Sequence, residues 1–368
     1  MMNRMVVGNL VHRPVRSLIS IVAVALEVTL ILLIVGLCTG IMRDQQTRAA
    51  GIGADVIVLP PGVSFIAGLG GSPIPVKVSG ILAKLPHVEK VAPVIQQIST
   101  AGTLEIIAGI DLPSYESLSG GFHYLQGGPF RRANDVLVDD VFAQAKHSKV
   151  GDTIEILNNS FRICGIVESG KGARKFLPLS TMQDLTGAKD KASVMYLKLD
   201  DPANADAVVD EIKHVPGMER YFASSMATYL SMMTTANYPY LSTFLRVVIW
   251  ISVVIGVLVI FQAMYTAVME RTREIGILKS MGASRLYIVD VVLRETVLLA
   301  LGGIVLGVAF SVAARTVLAY KMPLLQMIVS GQLVANAALI AMASALGGAL
   351  YPAYQAAQKD PIDALAYE

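Results

Sequence analysis

The chain has 368 residues, of which 54% are hydrophobic and only 16% charged, with a net charge of +2. Soluble domains carry roughly 25% charged residues, so this is the balance of a membrane protein. The small net charge and the lack of a Lys/Arg-rich run argue against a nucleic-acid partner.

The N-terminal tail carries Arg4, His12, Arg13 and Arg16, followed by an apolar run over 18–41. A basic flank suits a signal peptide, but the run exceeds the roughly 7–15 residues of a signal h-region. It reads as a retained transmembrane helix. Glu27 lies near its middle. A carboxylate there costs ~2.5–3.5 kcal/mol on insertion scales, less than a continuous apolar span supplies. Two readings of Glu27 stand side by side. It lines an interior or dimer interface and meets a substrate, cation or proton, or it is a protonated carboxyl bonded to a neighbouring helix. No Lys or Arg lies deep in another span to pair with it.

The next two hundred residues are not a linker. Strand-like runs recur at 55–59, 91–98, 104–110, 135–138, 153–157, 161–167 and 193–199, punctuated by Gly and Pro. Helical patterns intervene at 78–85, 141–146 and 203–214. The mixture predicts an α+β domain. A Gly/Pro/Ser-rich stretch at 62–80 with Phe65, Ile66 and Leu69 reads as a mobile loop near the membrane surface. Cys38 in the first helix and Cys164 in a strand run have no neighbours at metal-ligand or redox spacing, and read as packed thiols. The segment from Gly165 to Lys171 has the spacing of a phosphate-binding loop, but Gly172 replaces the Ser/Thr that would hold Mg²⁺. It reads as a Gly-rich turn after a strand. Just before the second apolar run stand Met226, Tyr229, Met232, Met233, Tyr238 and Tyr240. Met beside aromatics can form an adaptable hydrophobic contact surface; an interfacial aromatic belt is the other reading.

Further apolar runs cover 244–268, 296–318 and 333–354, each near or beyond the ~20 residues that cross a bilayer core. Gly36 and Gly40 in the first span, and Gly303 and Gly307 in the third, have the small-xxx-small spacing of close helix approach. Arg294, Glu295 and Arg315 sit near the ends of the third span, where they can snorkel. Orientation follows from the short loops. The N-terminal tail and the loop with Arg271, Arg273, Lys279 and Arg285 should be cytoplasmic. The loop with only Lys321 should lie outside, returning Lys359 to the cytoplasm. The expected division is a cytoplasmic segment at 1–16, transmembrane helices at 17–42, 243–268, 288–319 and 332–357, an extracytoplasmic α+β domain at 43–242, a cytoplasmic coupling helix and loop at 269–287, a short outer loop at 320–331 and a cytoplasmic tail at 358–368.

After the second span the chain reads Met269-Glu270-Arg271-Thr272-Arg273-Glu274-Ile275-Gly276-Ile277-Leu278-Lys279-Ser280-Met281-Gly282-Ala283-Ser284. Ile275, Leu278 and Met281 form a stripe at i, i+3 and i+6, with charges of both signs around it. Gly282 suits a helix C-terminus. This segment resembles the coupling helix of the MacB/FtsX-like permeases, whose pattern runs "ER..EIG.L.A.GA". Glu270, Arg271, Arg273, Glu274, Ile275, Gly276, Leu278, Gly282 and Ala283 match it; Ser280 departs from the family's Ala but stays small. The run from Val150 to Ile154, then Phe161 to Val167 and Leu177-Pro178-Leu179, is similar to the family's outer domain. Tyr351-Pro352-Ala353-Tyr354-Gln355-Ala356-Ala357 with Asp360-Pro361-Ile362-Asp363-Ala364-Leu365 is similar to its closing motif.

The resemblance implies an ABC transporter permease that binds no cofactor itself, ATP and Mg²⁺ residing on a separate ATPase present in two copies. It implies a second permease, as a homodimer, and contacts to the ATPase through Glu270, Arg271, Arg273, Glu274, Ile275, Gly276, Leu278, Lys279 and Gly282. The expected location is the bacterial inner membrane, with room for a periplasmic adaptor and an outer-membrane channel. Cargo would be hydrophobic or amphipathic: a drug, lipid, lipoprotein or peptide. Haem, which haem-exporting members carry, would enter only as cargo met by Met, Tyr or Glu. The alternative is an FtsX-like mechanotransmitter that moves nothing and regulates an extracytoplasmic hydrolase; an outer domain of this size fits the exporter branch better. The five His are scattered and no Ser/His/Asp or metal-spaced cluster appears, so catalysis by the chain itself has little support.

Overall fold

The structure, a computed structural model, describes residues 14–62, 73–99 and 105–359. The expectations on Arg4, His12, Arg13, on Phe65, Ile66 and Leu69, and on the motif at 360–365 lie outside the described residues. The chain forms two compact units. One holds Met1–Gly40, Tyr240–Lys321 and Met327–Glu368; the other holds Ile41–Pro239 and Met322–Gln326.

The first unit is helical. Helix α1 (Pro14–Ala50) contributes its residues up to Gly40. Its other long helices number from the order of the whole chain: α8 (Pro239–Glu270), α10 (Arg285–Lys321) and α11 (Gly331–Gln358), with the short α9 (Thr272–Ser280) between the first two. Four of these are long and apolar enough to cross a membrane. Small residues set their packing. Ala337, Ala341, Ala345, Ala349 and Ala353 recur every four residues along α11 and are all fully buried. A Cβ on Gly303 would lie 2.5 Å from the Val24 Cβ and 2.8 Å from the Ile21 carbonyl oxygen, and one on Gly307 would lie 2.7 Å from the Ala25 oxygen. Thr29 Oγ1 donates to the Gly307 carbonyl across the same seam. The glycine pair of the third span is therefore a helix contact. Gly36 is not: it meets the segment at Met327 and Ile328, whose Ile328 N–H donates to the Gly36 carbonyl.

The second unit is α+β. In chain order it contains β1 (Val56–Leu59), β2 (Ile74–Pro75), α2 (Val78–Leu82), β3 (Val88–Ser99), β4 (Glu105–Ile110), α3 (Leu112–Ser119), β5 (Tyr124–Gly127), β6 (Asp135–Asp139), α4 (Asp140–Lys146), β7 (Thr153–Ile156), β8 (Asn159–Val167), β9 (Lys175–Pro178), α5 (Leu179–Thr186), β10 (Lys191–Ala192), β11 (Val194–Leu199), α6 (Ala205–His214), β12 (Phe222–Ser225) and α7 (Met226–Met232). Among the described residues ten strands form one mixed sheet in the order β12-β1-β11-β3-β4-β9-β6-β8-β5, with β7 on β8. The β4–β9 and β6–β8 pairs are parallel and the others antiparallel. Alternation feeds both faces. Ile57 and Leu59 enter an aromatic-rich core with Tyr115, Phe122, Phe176 and Tyr196, while Val56 and Val58 enter a second core against α6. A third core, against α4 and α5, takes Val136 and Val138 while Leu137 points the other way.

Candidate functional site

The segment from Glu270 to Ala283 forms the sharpest local structure in the helical unit. Helix α8 ends at Glu270, Arg271 leaves helical geometry, and α9 restarts at Thr272. At the other end Gly282 takes a positive φ of 93°, its N–H donating to Lys279 and that of Ala283 to Leu278. This is the glycine-closed terminus that satisfies the last carbonyls of a helix. Ser284 then caps α10 by accepting from the Tyr287 N–H at 3.2 Å.

Two charged side chains tie α9 down. Arg271 Nη1 donates to Glu295 Oε2 at 3.0 Å, and Glu295 is buried in α10. Glu295 was expected to snorkel; it instead holds a guanidinium, because Arg271 reaches it from the break before α9. Lys279 Nζ donates to the carbonyls of Ala357 at 2.9 Å and Lys359 at 2.5 Å. A cation there complements the C-terminal end of α11. Ile275 is buried against α8 and α10 beside a cavity of about 50 Å³ that Val268, Ile288, Val292 and Glu295 also line.

The apolar stripe splits in the structure. Ile275 and Gly276 are buried and Leu278 half-buried, but Met281 is 71% exposed. Arg273, Glu274 and Ile277 share the open side with Met281 and Gly282, followed by Arg285 and by Leu286, 80% exposed. Of the residues expected to contact an ATPase, Arg273, Glu274 and Gly282 are thus presented. Arg271, Ile275, Gly276, Leu278 and Lys279 face inward wholly or in part and position the helix, and Glu270 ends α8. Ile277, Met281 and Leu286 are the surface residues that periodicity assigned elsewhere or left out.

Glu27 is buried within the helical unit. Ser344 Oγ of α11 lies 2.9 Å from both of its carboxyl oxygens, and Ala341 O accepts from the same hydroxyl at 2.9 Å. A Cβ on Gly256 of α8 would overlap the Glu27 carboxyl, so the glycine makes room for the acid. Glu27 thereby touches two other helices, and the contact is a hydroxyl rather than a cation.

The Met/Tyr group departs from the contact surface that its composition suggests. Met226, Tyr229, Met233 and Tyr238 are buried, and the first three belong to the aromatic-rich core of the second unit. Burial pushes the Tyr229 hydroxyl up to about 12. Of the six, Met232 and Tyr240 are exposed, and Tyr240 already belongs to the helical unit. The reason is that α7 continues from edge strand β12 and folds back on the sheet, its end held by Gln46 Nε2, which donates to the Leu230 and Met233 carbonyls at 3.1 and 2.6 Å. The phosphate-loop spacing from Gly165 to Lys171 runs from β8 into a turn and on to β9, with no helix after it to present amides to a phosphate.

Residues 17–215 match the model of the MacB-like periplasmic core domain, and residues 246–361 that of the FtsX-like permease C-terminal domain. The macrolide export ATP-binding/permease protein MacB of Shewanella sp. (strain W3-18-1) is 28% identical over 386 residues, covering 97% of this chain and 59% of that protein. The protein of the same name from Neisseria meningitidis serogroup B is 26% identical over 401 residues, covering 99% and 60%. The chain thus spans about three-fifths of the length of these relatives. The periplasmic region of MacB from Actinobacillus actinomycetemcomitans superposes with a TM-score of 0.40 at 17% identity, over 50% of this chain and 94% of that one. The extracellular domain of the transporter YknZ from Gram-positive bacteria gives 0.36 at 13%, over 46% and 100%. With both of its halves matched in order, the chain belongs to the MacB/FtsX-like family of ABC transporter permeases.

Proposed function

We propose that the chain is the permease of an ATP-driven machine of the inner membrane, in which an ABC ATPase, two copies per assembly, docks on the open side of α9. Hydrolysis there drives movement of the membrane helices and of the inserted domain, which lies outside the cytoplasm. A second copy of the chain completes the permease. The cargo is a hydrophobic or amphipathic molecule, exported or extracted from the membrane; the relatives' names, which join ATP binding to macrolide export, support this class.

The observation that carries the reading is the mounting of α9. Arg271 fixes its start to Glu295 and Lys279 fixes its end to the last carbonyls of α11. A helix held at both ends passes a push on to the helices that hold it. Its open side combines apolar Ile277 and Met281 with Arg273 and Glu274, an apolar centre with a charged rim as docking surfaces have.

The test is Glu274→Lys combined with Met281→Asp. Neither side chain is buried, so the thermal melt of the purified permease should stay within a few degrees of wild type. Stimulation of the ATPase by the permease should fall about tenfold or more, the loss expected when a central apolar contact and a rim charge are both reversed. Undiminished stimulation would sink the docking role.

A further inference from the structure

The end of α1 that belongs to the inserted domain carries a buried group of four charges. Arg174, in the turn before β9, spreads its guanidinium as a fork. Nη1 lies 3.0 Å from Asp139 at the end of β6, and Nη2 lies 3.0 Å from Asp44 on α1. Arg48, one turn on, pairs with the same Asp44 at 3.0 Å. Arg174, Arg48 and Asp139 are all buried, and Asp44 is half-buried. Two carboxylates and two guanidiniums leave the group neutral.

The turn that carries Arg174 is pressed onto α1 by its backbone as well. A Cβ on Gly51, just past the helix, would overlap the Gly170 carbonyl oxygen. Gly172, at φ 90°, leaves space for Ile52 and the Tyr115 hydroxyl, and that hydroxyl donates to the Lys171 carbonyl at 2.8 Å. On the far side the Ser169 N–H donates to Asp140 Oδ1 at 3.0 Å, and Asp139 accepts from the Phe142 N–H at 2.7 Å as the cap of α4. The glycines that imitate a phosphate loop are thus explained by close backbone approach to a helix end.

Apolar residues of similar volume would hold such a seam at least as firmly, because buried ion groups lose in desolvation much of what they gain in attraction. What a planar fork adds is fixed angle: one guanidinium sets α1 against β6 and α4 at once. The geometry points to a latch, in which the strap from Glu168 to Arg174, through the Arg174 fork, transfers displacement of α1 to the β6–α4 corner of the inserted domain. This rests on the reading of the chain as an ATP-driven permease and names the residues through which movement reaches its outer part.

Asp44→Asn with Arg48→Gln cuts the α1 arm and keeps the Arg174–Asp139 pair and the charge balance, so the domain should fold. In a Cys38→Ser, Cys164→Ala background, spin labels at the exposed positions Lys84→Cys and Gln358→Cys, the latter outside the docking side of α9, report the distance between inserted domain and cytoplasmic end, with and without ATP and vanadate, in the membrane complex isolated with its ATPase. The latch predicts that the nucleotide-dependent distance change is lost while ATP hydrolysis persists, a split that general damage does not give. A variant that moves like the wild type overturns the latch alone. A wild-type complex whose distance ignores nucleotide overturns the ATP-driven reading and the latch with it. Should the double variant fail to fold, Arg174→Lys, which keeps a cation and removes the fork, decides by the same split; loss of hydrolysis together with movement counts against the latch.

Discussion

At the scale of single residues the decisive contact is Arg271 with Glu295, 24 positions apart and both largely withdrawn from solvent. Removing Arg271 takes a charge-assisted hydrogen bond from the buried Glu295 carboxyl, so Arg271→Ala should cost on the order of 3 kcal/mol in unfolding of the detergent-solubilised chain. Replacing both by apolar side chains, as in Arg271→Met with Glu295→Leu, should restore most of that stability, since the desolvation penalty goes with the charges. ATPase stimulation should not return in the double variant, because an apolar pair does not fix the angle at which α9 leaves α8. If the double variant regains stimulation along with stability, the pair is a packing element and not a positioning one. Glu27 illustrates the opposite case. It is buried, and its carboxyl meets the Ser344 hydroxyl of a neighbouring helix.

At the scale of elements the small residues of α10 do the packing. Gly303 and Gly307 face Val24 and Val28 of α1 with no space for a Cβ, so Gly303→Val forces the helices apart. The expected loss is about 1–3 kcal/mol in stability, the range for overpacked sites, read by denaturation of the chain in mixed micelles; Gly302→Val, where the nearest atom would be 3.5 Å away, is the control and should lose much less. Equal losses at both positions would remove the close-approach argument. The same scale shows what was legible in sequence. Four long apolar runs and an α+β insertion were, because hydropathy and period need only local reading. Strand β9 was not, since Lys175 and Pro178 break its apolar pattern; Lys175 is accommodated by pairing with Glu105 of neighbouring β4 and by the Phe142 ring. Helix α7 was not legible, because Met226, Tyr229 and, just past its end, Met233 look alike on a contact surface or aromatic belt and in a core. Only the return of the chain from β12, unmarked in the residues themselves, separates the two. Position in the coupling helix was half legible. Its charges and closing glycine were found, but Met281, placed on the apolar stripe, lies on the open side, while Lys279 turns inward to the end of α11.

At the scale of the whole molecule, docking on α9 depends on which ends of the helices face the cytoplasm. The connection from α8 to the start of α10 carries Arg271, Arg273, Lys279 and Arg285, whereas that from α10 to α11 is flanked by the single Lys321, and short cationic loops stay inside. Docking of an ATPase on α9 requires this orientation, since nucleotide is cytoplasmic. In cells that express the permease alone, single cysteines at Met281 and Lys84, both exposed, report it without disturbing either unit. In intact cells a membrane-impermeant maleimide should label Lys84→Cys in full once the outer envelope is opened, and Met281→Cys only after the inner membrane is permeabilised. The reverse pattern would place α9 outside and remove the ATPase-docking role together with the reading of the inserted domain as extracytoplasmic. Labelling of both in intact inner membranes would mean that the two sites share one side, which requires an odd number of crossings between residues 84 and 281 to be wrong, and would leave α8 as a helix that does not span.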